Sequence, residues 1–222
     1  MGSSPTIRQD GTERDSRRRK RPWYLVLALI GSWIFGASGF IDGCSTLAFY
    51  KTPTVDAADY VAGVKGDGER IEATAAAERY ITAMHTAKER VFPLGIAALL
   101  LGGAMVVFSA RAMSGRSGAR SGLIQVITVQ AALVVATHFL TPDVRASRTD
   151  LEGAVVSAQL RESGQEQQVI DQSLALYPKI VRFRSAVVLV FHSTMALLIL
   201  LALTRQRTRL FFEALEEPVS ER

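Results

Sequence analysis

Residues 91–110 read VFPLGIAALLLGGAMVVFSA, twenty positions without an ionisable side chain. At 1.5 Å per residue, a helix of that length covers about 30 Å, the thickness of a bilayer's hydrocarbon core. A helix in a soluble core rarely runs so far without a polar stripe, because one side of it normally meets water. Three more blocks share the pattern: 23–42 (WYLVLALIGSWIFGASGFID), 122–141 (GLIQVITVQAALVVATHFLT) and 185–204 (SAVVLVFHSTMALLILLALT). None of the four contains Lys or Arg, and only Asp42, His138 and His192 can carry charge near neutral pH within them. The predicted fold class is an all-α integral membrane protein, a four-helix transmembrane bundle.

Average composition conceals this architecture. A hydrophobic content of 48% is ordinary for a soluble chain, but the charges fall almost wholly between the apolar blocks. Lys and Arg near helix ends set orientation, because cytoplasmic flanks carry the excess. The leading segment, residues 1–22, holds seven, among them Arg17, Arg18, Arg19, Lys20 and Arg21. The short 111–121 connection holds Arg111, Arg116 and Arg120, and Arg205, Arg207 and Arg209 follow the last block. The longer connections, 43–90 and 142–184, hold six each, diluted over more than forty residues and balanced by acids.

The chain is therefore expected to be a multi-pass protein of the cell (inner or plasma) membrane with both termini cytoplasmic. The expected organisation is a disordered basic tail (1–22), a membrane domain (23–204) and a cytoplasmic C-terminal tail (205–222). Within the membrane domain, outer loops fall at 43–90 and 142–184 and an inner loop at 111–121. The lipid bilayer is thus the first partner, and the net charge of +5 follows from topology. It gives no case for nucleic-acid binding, since the basic residues flank apolar helices with no aromatic interleaving. The basic run 17–21 suits anionic lipid head groups, at about 1 kcal/mol per residue close to the surface.

A basic run before an apolar block also opens a signal peptide. The apolar core is too long for one and no clean small-residue cleavage site follows, so a retained helix is expected. Gly2 and Thr6 fit a short myristoylation pattern that often recurs by chance. The lone Cys44 excludes an intrachain disulfide and paired-cysteine redox chemistry.

The outer loops carry helical periodicity. Ala73, Ala77, Tyr80, Met84, Ala87 and Val91 form a heptad-like seam running into the second block, with Glu72, Glu78, Arg79 and Lys88 off it. Leu151 and Val155 open another segment, which Ser163-Gly164 should interrupt. Ile170, Leu174, Tyr177 and Val181 then lead into the fourth block across Pro178, which marks a kink or a helix start. The second and fourth spans are thus predicted to extend outward as amphipathic helices that pack together as a cap. In the C-terminal segment, Leu210-Phe211-Phe212 can lie on the inner surface, but a solvated tail is the default expectation.

Small residues recur at close-packing spacing: Ser32 with Gly36, Gly39 with Gly43, and Ala98 with Gly102. Such faces let helix backbones approach closely in lipid, and packing inside the bundle is favoured over a homodimer interface. Asp42, His138 and His192 carry the costliest groups at membrane depth, where ionisable residues often have a function. The favoured reading has the histidines hydrogen-bonded to neighbouring helices and Asp42 wetted near the outer interface. A second makes Asp42 and one histidine a proton-linked polar site. A third makes His138 and His192 axial haem ligands, although their depths differ by roughly 6 Å at helical rise. His85, in the outer amphipathic segment, has no evident partner.

There is no G-x-x-x-x-G-K-[ST] loop, no H-E-x-x-H and no G-x-S-x-G elbow. No catalytic residue, metal site or cofactor is therefore assigned. The expected function is a non-catalytic subunit or scaffold of a membrane complex. It would contact a protein partner, or further copies of itself, through the outer cap. The alternatives are a redox or proton-linked protein using His138 and His192, and a small oligomeric channel or transporter lined by Gln125, Thr128 and Gln130.

Overall fold

The computed structural model describes residues 21–52, 54–116 and 118–216. Among them the chain is helical, with no strand. The helices are α1 (Trp23–Lys51), α2 (Ala57–Tyr60), α3 (Asp67–Thr86), α4 (Lys88–Met113), α5 (Ala119–Leu140), α6 (Pro142–Glu162), α7 (Gln167–Thr204) and α8 (Gln206–Glu216). Four of these, α1, α4, α5 and α7, are long and apolar enough to cross a membrane. They contain the four apolar blocks, save that α5 stops one residue before Thr141. The expectations for residues 1–20, including Arg17, Arg18, Arg19, Lys20, Gly2 and Thr6, lie outside the described residues, as does the end of the C-terminal tail.

Helix boundaries follow local chemistry. Pro142 opens α6 at the position where its missing N–H costs nothing. Gly164, at φ 73°, lets the chain turn after α6 in a left-handed conformation that a Cβ would strain. Pro178 sits inside α7, which is continuous over 38 residues. Between α3 and α4 one residue, Ala87, departs from helical geometry, and helical hydrogen bonding resumes with Val91 N–H donating to Ala87 at 2.9 Å.

The chain divides into two compact units. Among the described residues, one comprises those up to Phe40, Leu100–Ala131 and those from Ser193 on. Here the glycine face of α1 meets α4. A Cβ added to Gly36 would lie 2.7 Å from Met105 Cβ and 2.9 Å from the Gly102 carbonyl. Gly102 in turn faces the Gly36 carbonyl and the backbone of Gly39 and Phe40. Ser32 is fully buried and returns its hydroxyl to the Ala28 carbonyl at 2.8 Å. The segment expected as a solvated tail forms α8 instead and buries Thr208, Phe211 and Phe212. Thr208 donates to the Ala202 carbonyl at 2.7 Å, while Arg21 lies 5.8 Å from the Phe211 ring and Arg205 lies 5.1 Å from that of Tyr24. An isolated helix of eleven residues is marginal in water, so this docking is what holds α8 folded.

The other unit comprises Ile41–Leu99 and Ala132–His192. A Cβ on Gly43 would lie 2.5 Å from the Leu99 nitrogen and 2.7 Å from the Gly95 carbonyl. The α4 glycine that meets this part of α1 is Gly95, which also faces Thr46. Ala98 itself is half-buried. A small hydrophobic core then joins α2, α3 and α6 through Val61, Ala73, Ala76, Ala77, Leu151 and Ala158. The α3 seam points inward, with Ala73, Ala77, Met84 and Ala87 all buried. Its principal packing partner is α6, which starts directly after α5 instead of at Leu151. The run leading to the fourth block supplies Ile170, which is buried, and Tyr177, whose ring lies 3.5 Å from the position of a Cβ on Gly153.

Polar fastenings complete this unit. The Lys65 N–H donates to Glu162 at 2.6 Å, and Arg161 lies 3.5 Å from Glu72. Tyr50 donates to the Met84 carbonyl at 2.7 Å. Arg90 donates to the Leu140 carbonyl at 3.1 Å and pairs with Asp143 at 2.8 Å. His85, which had no evident partner in the sequence, lies in an aromatic group with Phe49 and Tyr50, at centroid distances of 5.5 and 6.4 Å.

Candidate functional site

The second unit contains a cavity of about 640 Å³ lined by residues of α5, α6 and α7. Its apolar part comes from Val134, Val188 and Leu189 and its basic part from Arg145, Arg148, Arg182 and Arg184. His138 and the two acids Asp150 and Glu152 also line it. Helix periodicity explains the α6 contribution: Arg145, Arg148, Thr149 and Glu152 recur at intervals of three and four and so share a face.

Glu152 is fully engaged. Arg148 donates to one carboxylate oxygen at 2.9 Å, while Arg184 and Tyr177 reach the other at 3.4 and 3.3 Å. Arg145 lies against His138, with one guanidinium nitrogen 3.2 and 3.3 Å from the two ring nitrogens. Its Nε is buried and makes no hydrogen bond. Neither Arg145 nor Arg182 forms an ion pair among the described residues.

The intramembrane candidates have different neighbours. Asp42 is exposed. The Asp42 carbonyl accepts from Thr46 at 2.9 Å. Nδ1 of His192 lies 2.7 Å from the Val188 carbonyl. His138, by contrast, is the neighbour of Arg145. The two imidazoles weighed as an alternative haem pair thus engage separate partners.

Of the residues weighed for a channel lining, Gln125 and Thr128 share an exposed face of α5 and Gln130 stands apart. Gln125 and Thr128 are exposed, whereas Gln130 is 2% exposed and leaves its Oε1 without a hydrogen bond. Thr128 satisfies its hydroxyl on the Ile124 carbonyl at 2.8 Å. Cys44 is exposed. Among the described residues no group of three His, Cys, Asp or Glu side chains is placed to hold a metal ion.

Sequence reasoning missed the arginine cluster. Arg145 and Arg148 lie in one connection, and Arg182 and Arg184 more than thirty positions on, with no motif joining them. A usable signal was their position, since both pairs flank an apolar block at what is expected to be the same side of the membrane. Comparison with known proteins returns no match to a family model, a curated protein or a solved structure.

Proposed function

We propose that the chain is a non-catalytic four-span subunit of a cell-membrane complex, engaged by a protein partner through its extracytoplasmic helices. In this reading α1, α4, α5 and α7 cross the bilayer with both termini cytoplasmic, and α3, α6 and the first half of α7 stand outside.

One observation carries the reading. Val169, Leu176, Ile180 and Phe183 form an exposed apolar stripe on α7, with Phe183 at 73% exposure. At 100° per residue they fall within about 60° of arc, one face of the helix. A helix of 38 residues is about 57 Å long, roughly twice the hydrocarbon thickness. The stripe precedes the 185–204 block and is interspersed with Asp171, Lys179 and Arg182, which keeps it out of the hydrocarbon. A face of this kind outside lipid favours an amphipathic partner helix. Lys179 and Arg184 border it, so an acidic-flanked partner suits it better than a parallel second copy, which would set like charges together.

Purification in mild detergent followed by mass measurement tests this. A heteromeric complex is expected, lost in an Ile180→Asp variant that retains the wild-type melting temperature. A homodimer sensitive to Ile180→Asp would reassign the stripe to self-association. A monomer with no co-purifying protein would overturn the proposal.

A second reading takes up Asp42 and His192, both of the second unit. A carboxylate and an imidazole near a membrane surface suit a proton-linked site. Unchanged proton flux in reconstituted vesicles on His192→Ala would remove it.

A further inference from the structure

We propose that the cavity between α5, α6 and α7 binds a phosphate group, with Arg145 and Arg182 as its anchors. The charge balance is the first argument. Four guanidiniums line the cavity against two carboxylates, and Glu152 is already shared by Arg148, Arg184 and Tyr177. Arg145 and Arg182 are left without an acidic partner among the described residues.

The second argument is the buried Nε of Arg145, which has no acceptor. A buried donor left unpaired carries its full desolvation penalty, which a small movement of the side chain toward an anion in the cavity would relieve. The His138 contact holds the other end of this guanidinium, so Arg145 is placed before a ligand arrives. Planar guanidiniums present paired N–H groups that match phosphate oxygens. A phosphate offers more acceptor oxygens than a carboxylate, arranged about a tetrahedral centre, and can meet two guanidiniums at once.

The third argument is the lining. Val134, Val188 and Leu189 belong to the helices read above as membrane spans, so the cavity joins a basic part to an apolar one. Both a free phosphate and the headgroup of an anionic phospholipid have the required chemistry, and the lipid version rests on the membrane reading above.

The test is thermal melting of the full chain in neutral detergent. Inorganic phosphate is compared with potassium chloride at equal ionic strength, and phosphatidylglycerol with phosphatidylcholine in mixed micelles. A rise in Tm of several degrees is expected with at least one phosphate source and with neither control. A response to phosphatidylglycerol alone assigns the site to a lipid headgroup, and a response to inorganic phosphate assigns it to the free anion. The rise should vanish in Arg145→Gln/Arg182→Gln and persist in Arg79→Gln, which alters an exposed arginine on α3. If the double variant does not fold, the exposed Arg182→Gln alone should cut the response at least in half. No rise with either source, or a rise the variants leave intact, overturns the proposal. Failure here leaves the partner stripe on α7 untouched, because the two use different readouts.

Discussion

Replacing Gly43 with alanine places a methyl group against helix backbone. Its Cβ would sit 2.5 Å from the Leu99 nitrogen, 2.7 Å from the Gly95 carbonyl and 2.8 Å from Leu99 Cα. Ordinary contact begins near 3.4 Å, so α1 and α4 would have to separate locally by most of an ångström. Backbone cannot swing aside as a side chain can, so overpacking at the upper end of about 1–3 kcal/mol is expected. For a chain of this size each kcal/mol moves Tm by about 2–4 °C, so the loss should be about 5–10 °C. Gly103→Ala supplies the internal control. Its Cβ would meet only the Phe40 ring, at 3.6 and 3.8 Å, and alanine is the better helix former by up to about 1 kcal/mol. Both variants would be melted in the same detergent by circular dichroism. A Gly43→Ala protein as stable as wild type, or one less perturbed than Gly103→Ala, would refute the close-approach argument.

Three further outcomes follow from the geometry. Tyr50→Phe removes the bond to the Met84 carbonyl while keeping the ring, and should cost about 0.5–1.5 kcal/mol in the same melt. Phe211→Ala should cost about 3–5 kcal/mol if α8 docks as described, since Phe211 is 3% exposed, whereas Trp23→Ala at 74% exposure should cost far less. Burial alone would raise the Asp143 carboxyl, but the backbone N–H groups of Val144 and Asp143, with Arg90, hold it below the ordinary range. A depressed carboxylate pKa stabilises the fold at pH values above the unfolded one and loses that contribution as pH falls through the folded one. The stability gap between wild type and Asp143→Asn should therefore be present at pH 7 and shrink below about pH 4 in a melting series.

The apolar blocks were legible because twenty uncharged positions have few structural uses. The α3 seam was legible for a related reason: Ala73, Ala77, Met84 and Ala87 recur at helical spacing amid charges that cannot be buried cheaply. Its partner was not, because periodicity identifies a face and says nothing about what covers it. The α4 contact shows the same limit. Gly95, Ala98 and Gly102 offer competing small-residue registers, and only the crossing of the backbones selects Gly95 opposite Gly43. On α7 the sequence marked Ile170, Leu174, Tyr177 and Val181 as the inward seam, but two apolar stripes share that helix. Which of them stays exposed depends on the position of Tyr177 against α6. The Leu210-Phe211-Phe212 run was visible, but too short to imply helix without the surface it docks on. The cavity was the least legible element, because its arginines converge only after α5, α6 and α7 are folded.

The central claim is that the helices divide a cytoplasmic side from an outer one, with Ser114 inside and Ser163 outside. Both serines are exposed, one after α4 and one after α6. In a Cys44→Ser background, Ser163→Cys and Ser114→Cys would each be challenged with a membrane-impermeant maleimide in intact spheroplasts. Labelling of Ser163→Cys in intact cells, and of Ser114→Cys only after the membrane is opened, is the predicted result. Labelling of Ser114→Cys in intact cells, or protection of Ser163→Cys until lysis, would contradict it.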